Sequence, residues 1–203
     1  MALKFQYNKT SQQQMDKQLK VRVRALPTLQ NKEAALRIEV KRAKKRADEL
    51  GHELETKTAD LDKISRLWGE FDQQAISIED VVLESKKIAG VQTPVLVDVV
   101  FKKEPFALFS KPVWFLDGVK IIESLAKIAI EREVFLRKMV LLDVARKKTT
   151  QKVNLYEKVQ IPGFKDAIRK IKRFLEDEEN LSKSAQKIVK TRQQLQKEKE
   201  VES

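Results

Sequence analysis

The sequence predicts an all-α-dominated chain: a long antiparallel two-helix coiled coil formed by its N- and C-terminal segments, with a small β-hairpin or sheet inserted in the middle. Three observations predict it. Alternating steps of four and three from Met15 reach Leu19, Arg22, Leu26, Leu29, Glu33, Leu36, Val40, Ala43, Ala47, Leu50, Leu54, Lys57, Leu61, Ile64, Trp68 and Phe71, and fourteen of these 17 positions are apolar. A second stripe of the same kind begins at Ile121, and between the two stripes Val95–Phe101 is β-branched and apolar, set between Pro94 and Pro105. A narrow stripe of period 3.5 is a coiled-coil seam, not the wider face of a globular helix. At 1.5 Å per residue the first stripe makes a rod of roughly 85 Å, which needs another rod to cover its seam.

Asn8, Thr10 and Ser11 are good N-cap residues, so the first helix starts among them. Pro27 removes one backbone hydrogen bond and predicts a kink near residues 23–27, but the heptad phase continues, so the reading is one bent helix. Gly51 and Gly69 weaken it locally, and it fades around Gln73–Ser77. Ile78–Ala89 reads as a further helical turn or two, stopped by Gly90. Val95–Phe101, Phe106–Phe109 and Val113–Leu116 carry strand signals separated by proline turns.

After Asp117-Gly118 a second long helix is expected. Ile121, Leu125, Ile128, Phe135, Met139 and Leu142 lie on one 3/4 spacing, with Arg132 on the same line. Leu136, Val140 and Val144 widen the stripe, so this part faces two neighbours. Val153, Tyr156 and Val159 lead to Ile161-Pro162-Gly163, a second expected kink. Phe164, Ile168, Ile171, Leu175, Ala185 and Val189 resume the seam, and the polar tail from Lys190 frays. These limits divide one structural unit into an N-terminal helix (1–76), a β-containing insertion (77–118) and a C-terminal helix (119–203). Placing Phe71 opposite Ile121 makes paired residue numbers total about 192, which sets Pro27 level with residue 165 and predicts a bend shared with Pro162.

Composition narrows function mainly by exclusion. With no cysteine and His52 as the single histidine, a disulfide framework, thiolate site or histidine cluster cannot be assembled. The five isolated glycines form no phosphate loop or dinucleotide fingerprint. The run Glu176–Glu179 sits among Lys172, Arg173 and Lys183 and reads as salt-bridged helix surface. No catalytic residue, metal ligand or cofactor site is expected. No apolar run approaches the roughly 20 residues of a membrane span, and the start has no apolar core of a secretory signal, so a soluble chain is expected.

The net charge of +12 raises a nucleic-acid reading. Residues 1–50 hold 13 Lys/Arg against 5 Asp/Glu, densest at Lys41–Arg46. Val40, Ala43 and Ala47 thread the seam through that run, and no aromatics interleave to stack bases. The basic residues then decorate the outside of a rod, either solvated or facing an acidic protein partner.

Two segments carry a resemblance. Asn8-Lys-Thr10 is followed by Leu19, Leu26, Leu29, Lys32, Ala35 and Leu36. Asn154 and Ile161-Pro162 precede an amphipathic stretch with Ile168, Ile171 and Leu175, then Glu176–Glu179, Asn180, Leu181 and Lys183. This pattern resembles the D subunit of the V-type and archaeal-type (V/A-type) rotary ATPases. The resemblance implies a central rotor shaft that couples ATP synthesis or hydrolysis to proton or sodium transport and has no active site of its own. It implies tips reaching into the ring of catalytic and nucleotide-binding subunits, and a middle lying toward the cytoplasmic face of the membrane. It also implies binding to the small F subunit and to the rotor-cap subunit of the membrane ring. Direct nucleotide binding is not expected. Lys41, Arg42, Lys44 and Lys45, together with Phe164 and Ile168, are candidate surfaces toward the catalytic subunits. Phe135, Leu136, Met139 and Val140 are the candidates toward the F subunit. The competing readings are an export-ATPase stalk, a nucleic-acid-binding coiled coil and a self-assembling cytoskeletal rod.

Overall fold

The computed structural model describes residues 4–62, 68–69, 71–72, 75–104 and 112–201. Helix α1 (Lys9–Asp62) is followed by strands β1 (Ile76–Ile88) and β2 (Val91–Lys103), helix α2 (Phe115–Asn154), a π-helical turn (Leu155–Gln160) and helix α3 (Ile161–Val201). The chain divides into two compact units. A terminal unit holds residues 1–30 and 151–203, and a middle unit holds residues 31–150.

In the terminal unit α1 begins where the caps predict. Asn8 Oδ1 accepts the Ser11 amide at 2.7 Å and Ser11 Oγ accepts the Gln6 amide at 3.3 Å, so side chains satisfy two amides around the helix start. Helix α1 passes through Pro27 unbroken. It pairs antiparallel with α3. Tyr7 meets Phe174 with ring centroids 4.9 Å apart, and Arg22 Nε donates to Gln160 Oε1 at 2.5 Å. Phe164, Ala167 and Ile171 on α3 are buried apolar side chains of this pairing.

In the middle unit residues 31–62 of α1 pair antiparallel with α2. Arg46 binds Glu131 at 3.1 Å, Lys57 Nζ donates to Ser124 Oγ at 3.4 Å, and Thr150 Oγ1 donates to Glu33 Oε1 at 3.2 Å. Every predicted seam position from Met15 to Leu61 is buried or half-buried except Lys57. The seam is tightest between Leu36 and Leu50, with Leu36, Ala43, Ala47 and Leu50 at most 2% exposed. Gly51 leaves room for Arg132, the charged residue on the facing stripe: a Cβ at Gly51 would stand 3.1 Å from Arg132 Nε.

The paired numbers correct the predicted register. Arg22 with Gln160 totals 182 and Lys57 with Ser124 totals 181, not 192. The anchor of the predicted register, Phe71 opposite Ile121, is not met. Trp68 and Phe71 instead join Trp114 and Phe115 in an aromatic cluster, Phe71 stacking on Phe115 at 5.0 Å. Pro27 therefore falls level with the start of the π-helical turn and not with Pro162.

The insertion is one long hairpin. Of the stretch Ile78–Ala89, expected to be helical, Ile78–Ile88 lies in β1, paired antiparallel with β2 from Ile76↔Lys103 to Ile88↔Val91. Ala89 and Gly90 have φ of 48° and 81°, so the connection is a two-residue turn with both residues left-handed, whose twist suits a hairpin. Glu79 and Val97 are extra residues on opposite strands, and their register shifts cancel. Strand β2 lies along α2: Lys103 Nζ is 2.6 Å from Glu123 Oε1, and Lys127 sits 5.8 Å from the Phe101 ring centre. The expected strand at Val113–Leu116 is a turn leading into α2, because the Phe115 amide bonds Pro112 O and the Gly118 amide bonds Trp114 O. Phe106–Phe109 lies outside the described residues. The expected fraying from Lys190 is also corrected, since α3 continues to Val201 through good helix formers.

Candidate functional site

The candidate site is a set of surfaces presented by paired helices. In the middle unit the heptad places Ala43 and Ala47 inward, so Lys41, Arg42, Lys44 and Lys45 all stand exposed on the outside of α1. Arg42 is held by Glu39 at 2.8 Å and Lys45 lies 3.7 Å from Glu49. Such exposed pairs contribute little stability but temper the positive field.

The wide stripe on α2 divides. Phe135 is half-buried and, with Val134, Glu131 and Lys138, faces Pro94–Val97 of β2 across a crevice of about 300 Å³. Leu136 and Met139 are half-buried, whereas Val140, Leu141 and Val144 are exposed. The second neighbour that the wide stripe anticipates is thus, on the Phe135 side, the chain's own hairpin. The hairpin carries exposed apolar residues as well: Ile78, Val82, Leu83, Val97 and Val100.

In the terminal unit Phe164 is buried and Ile168 half-buried. Arg22 lies 4.6 Å from the Phe164 ring centre, so that ring serves the helix pairing. Beyond Leu175, α3 runs past the level of Lys9, where α1 starts, and Glu176–Gln196 are all exposed. Leu181, Ile188, Val189 and Leu195 on this segment are large, apolar and uncovered. Sequence reasoning misses most of them as a surface because Glu178 and Ser182 interrupt the seam there. The available signal is register. With paired numbers totalling 182, positions beyond 173 lie past the level of Lys9, where α1 has not begun.

Two carboxylates of the helices are shifted by neighbouring cations. Hydrogen bonds from Arg146 and Lys147 hold the Asp143 carboxyl below its ordinary range, and Lys183 does the same for Glu179. Both are surface ion pairs along a helix. Among the described residues, no cluster of His, Asp and Glu is placed to hold a metal, and no helix is long and apolar enough to cross a membrane.

The sequence model of the ATP synthase D subunit matches residues 11–191, which take in both helical pairings and the hairpin. The chain belongs to the ATP synthase D-subunit family. It is similar to the V-type ATP synthase D subunit of Borreliella burgdorferi, with 28% identity covering 93% of this chain and 94% of that protein. It is also similar to the V-type ATP synthase D subunits of Chlamydia abortus, 27% identical over 85% of this chain and 86% of that one, and of Chlamydia muridarum, 29% identical over 85% and 88%. The paired helices, the hairpin and the uncovered end of α3 are thus features of a member of the ATP synthase D-subunit family.

Proposed function

We propose that this protein, which stands in the central stalk of a V/A-type ATP synthase or ATPase, is its non-catalytic rotor shaft and couples ATP turnover in the head to proton or sodium transport. The observation that carries the reading is the unpaired end of α3. A helix that continues past its partner with Leu181, Ile188, Val189 and Leu195 uncovered is suited to a socket in another protein of the complex. We assign that socket to the catalytic and nucleotide-binding subunits of the head. The basic face of α1 (Lys41, Arg42, Lys44, Lys45) gives the shaft a charge asymmetry that successive catalytic subunits would meet in turn.

Phe164 and Ile168 act from beneath this surface by holding the helix pair together. We assign the exposed Val140 side of α2, with Leu136 and Met139 behind it, to the F subunit. Phe135 supports that face through the hairpin. The division into residues 1–76, 77–118 and 119–203 then becomes functional: two shaft strands, and an insertion directed to the rotor-cap subunit on the cytoplasmic side of the membrane. The family match over 11–191 favours this reading over an export-ATPase stalk or a nucleic-acid-binding rod.

Removal of residues 176–203 from the assembled complex tests it. The expected result is a chain that keeps its helix pairing by circular dichroism while ATP-driven ion transport falls at least tenfold. Unchanged transport would reject the assignment of this segment to the head.

A further inference from the structure

Along the second helical strand the covered positions recur every seven residues at Ile128, Phe135, Leu142, Thr149 and Tyr156, and then step by eight to Phe164 before Ile171 resumes the period. An ideal α-helix turns about 100° per residue, so a seven-residue step drifts about 20° and an eight-residue step overshoots by about 80°. One residue too many lies between Tyr156 and Phe164. The structure absorbs it in the π-helical turn Leu155–Gln160, where the Ile161 amide bonds Tyr156 O, five residues back. Pro162 follows at once, and its missing amide means that the ladder is already one bond short there. No residue of the turn is buried. Only Tyr156 and Gln160 in it are half-buried, so core packing fixes the placement of the extra residue weakly.

Arg22, the half-buried cation on the predicted seam of α1, touches both sides of it. Its Nε donates to Gln160 Oε1 at 2.5 Å, and its guanidinium lies 5.8 Å from the Tyr156 ring centre and 4.6 Å from that of Phe164. Its Nη1 donates to Gln18 O at 3.0 Å, which aims the side chain from α1. A planar cation that reads one amide and two rings recognises a single placement of the extra residue.

We propose that the π-helical turn is a movable joint in the helix and that Arg22 is the positioning residue that locks it at 155–160. Released from Arg22, the extra residue can pass into the preceding turn, and the helical faces between the two placements rotate. In a shaft under torque, a use that rests on the function proposed above, this gives a site of reversible twist. The lock itself is a property of the chain alone and is tested on it.

Hydrogen–deuterium exchange on the full chain distinguishes a lock from ordinary packing. Arg22→Leu places an apolar residue on an apolar seam, so the melting temperature is expected to hold or rise, while amides within 151–164 exchange about tenfold faster. Arg22→Lys keeps the charge without the planar face and is expected to fall between the two. Deletion of exposed Glu157 restores the seven-residue step, and in that background Arg22→Leu is expected to leave exchange at 151–164 unchanged. The proposal is overturned if Arg22→Leu leaves exchange at 151–164 as in the unaltered chain. It is equally overturned if the substitution lowers the melting temperature and speeds exchange evenly across residues 9–30 and 151–196.

Discussion

The two units pair the same two stretches of chain by different means. In the middle unit the seam is aliphatic and fine-grained: Leu36, Ala43, Ala47 and Leu50 from α1, Ile128, Val134 and Leu142 from α2, all buried. In the terminal unit α1 supplies half-buried Met15, Leu19, Leu26 and Leu29 around Arg22, against Phe164, Ala167 and Ile171. Both seams hold polar positions, Glu33 with Thr150 in the middle unit and Arg22 with Gln160 in the terminal one, but only the terminal seam carries a helical irregularity. Tight packing resists deformation because every methylene removed or added is felt. A seam built on an arginine, a glutamine and two rings has more than one acceptable arrangement. One heptad pattern can thus serve a stiff segment and a compliant one.

The largest expected effect follows from the seam of the middle unit. Leu142→Ala, at a side chain with 0% exposure, should destabilise the chain by about 3–4 kcal/mol in urea denaturation. Ile171→Ala, also 0% exposed, should cost less, about 2 kcal/mol, because the terminal seam relaxes around the gap. Equal losses would break the comparison.

Gly118→Ala comes next. The added Cβ would lie 3.0 Å from the Trp114 ring and 3.2 Å from the Phe71 ring, so about 1–3 kcal/mol should be lost where the helices and the hairpin base meet. Thermal unfolding read by tryptophan fluorescence reports on that cluster directly.

A gain is expected at the hairpin turn. Ala89 holds φ of 48° with a Cβ, and Ala89→Gly should stabilise the chain by about 0.5–1 kcal/mol, visible as slower exchange of the Ile88 and Val91 amides. A loss would show that the turn does not limit the hairpin.

The smallest effect is a pH dependence in the middle unit. Arg146 and Lys147 depress the Asp143 carboxyl, so its contribution is fully present above the unfolded carboxylate range and is lost as pH falls through the lower folded value. Asp143→Asn should therefore remove a small part of the stability at neutral pH and make no difference in strong acid. Paired denaturation curves at the two pH values check the sign.

The helices are legible in the sequence because a 3.5-residue period depends on nothing outside the segment that carries it. Met15 to Leu61 can be placed residue by residue. Strand β1 is not legible for a matching reason: in Ile76–Ile88 nearly every side chain is exposed, so no alternation of buried and exposed residues marks it as a strand. Ala89-Gly90 reads as a helix stop, although β-branched stretches at equal distances on either side also suit a hairpin turn. The predicted register is displaced because it hangs on one assumed pair, Phe71 opposite Ile121, and the heptad phase of two separate stripes does not fix which of their residues meet. The eight-residue step from Tyr156 to Phe164 is visible in the sequence, but Pro162 points to a kink in the same place. The candidate surfaces are legible as exposed or inward from the heptad phase alone. Burial of Phe135 against β2 depends on the hairpin and cannot be read locally.

The most direct test of the shaft reading uses the absence of native cysteine, which makes introduced pairs unambiguous. In a reconstituted complex, a disulfide within the chain between cysteines at positions 57 and 124 joins two stretches already in contact, and ATP-driven ion transport should continue. A disulfide joining a cysteine at Leu181 to a catalytic subunit should stop transport until reductant restores it. Transport that persists with Leu181 fixed to the head would contradict a rotating shaft.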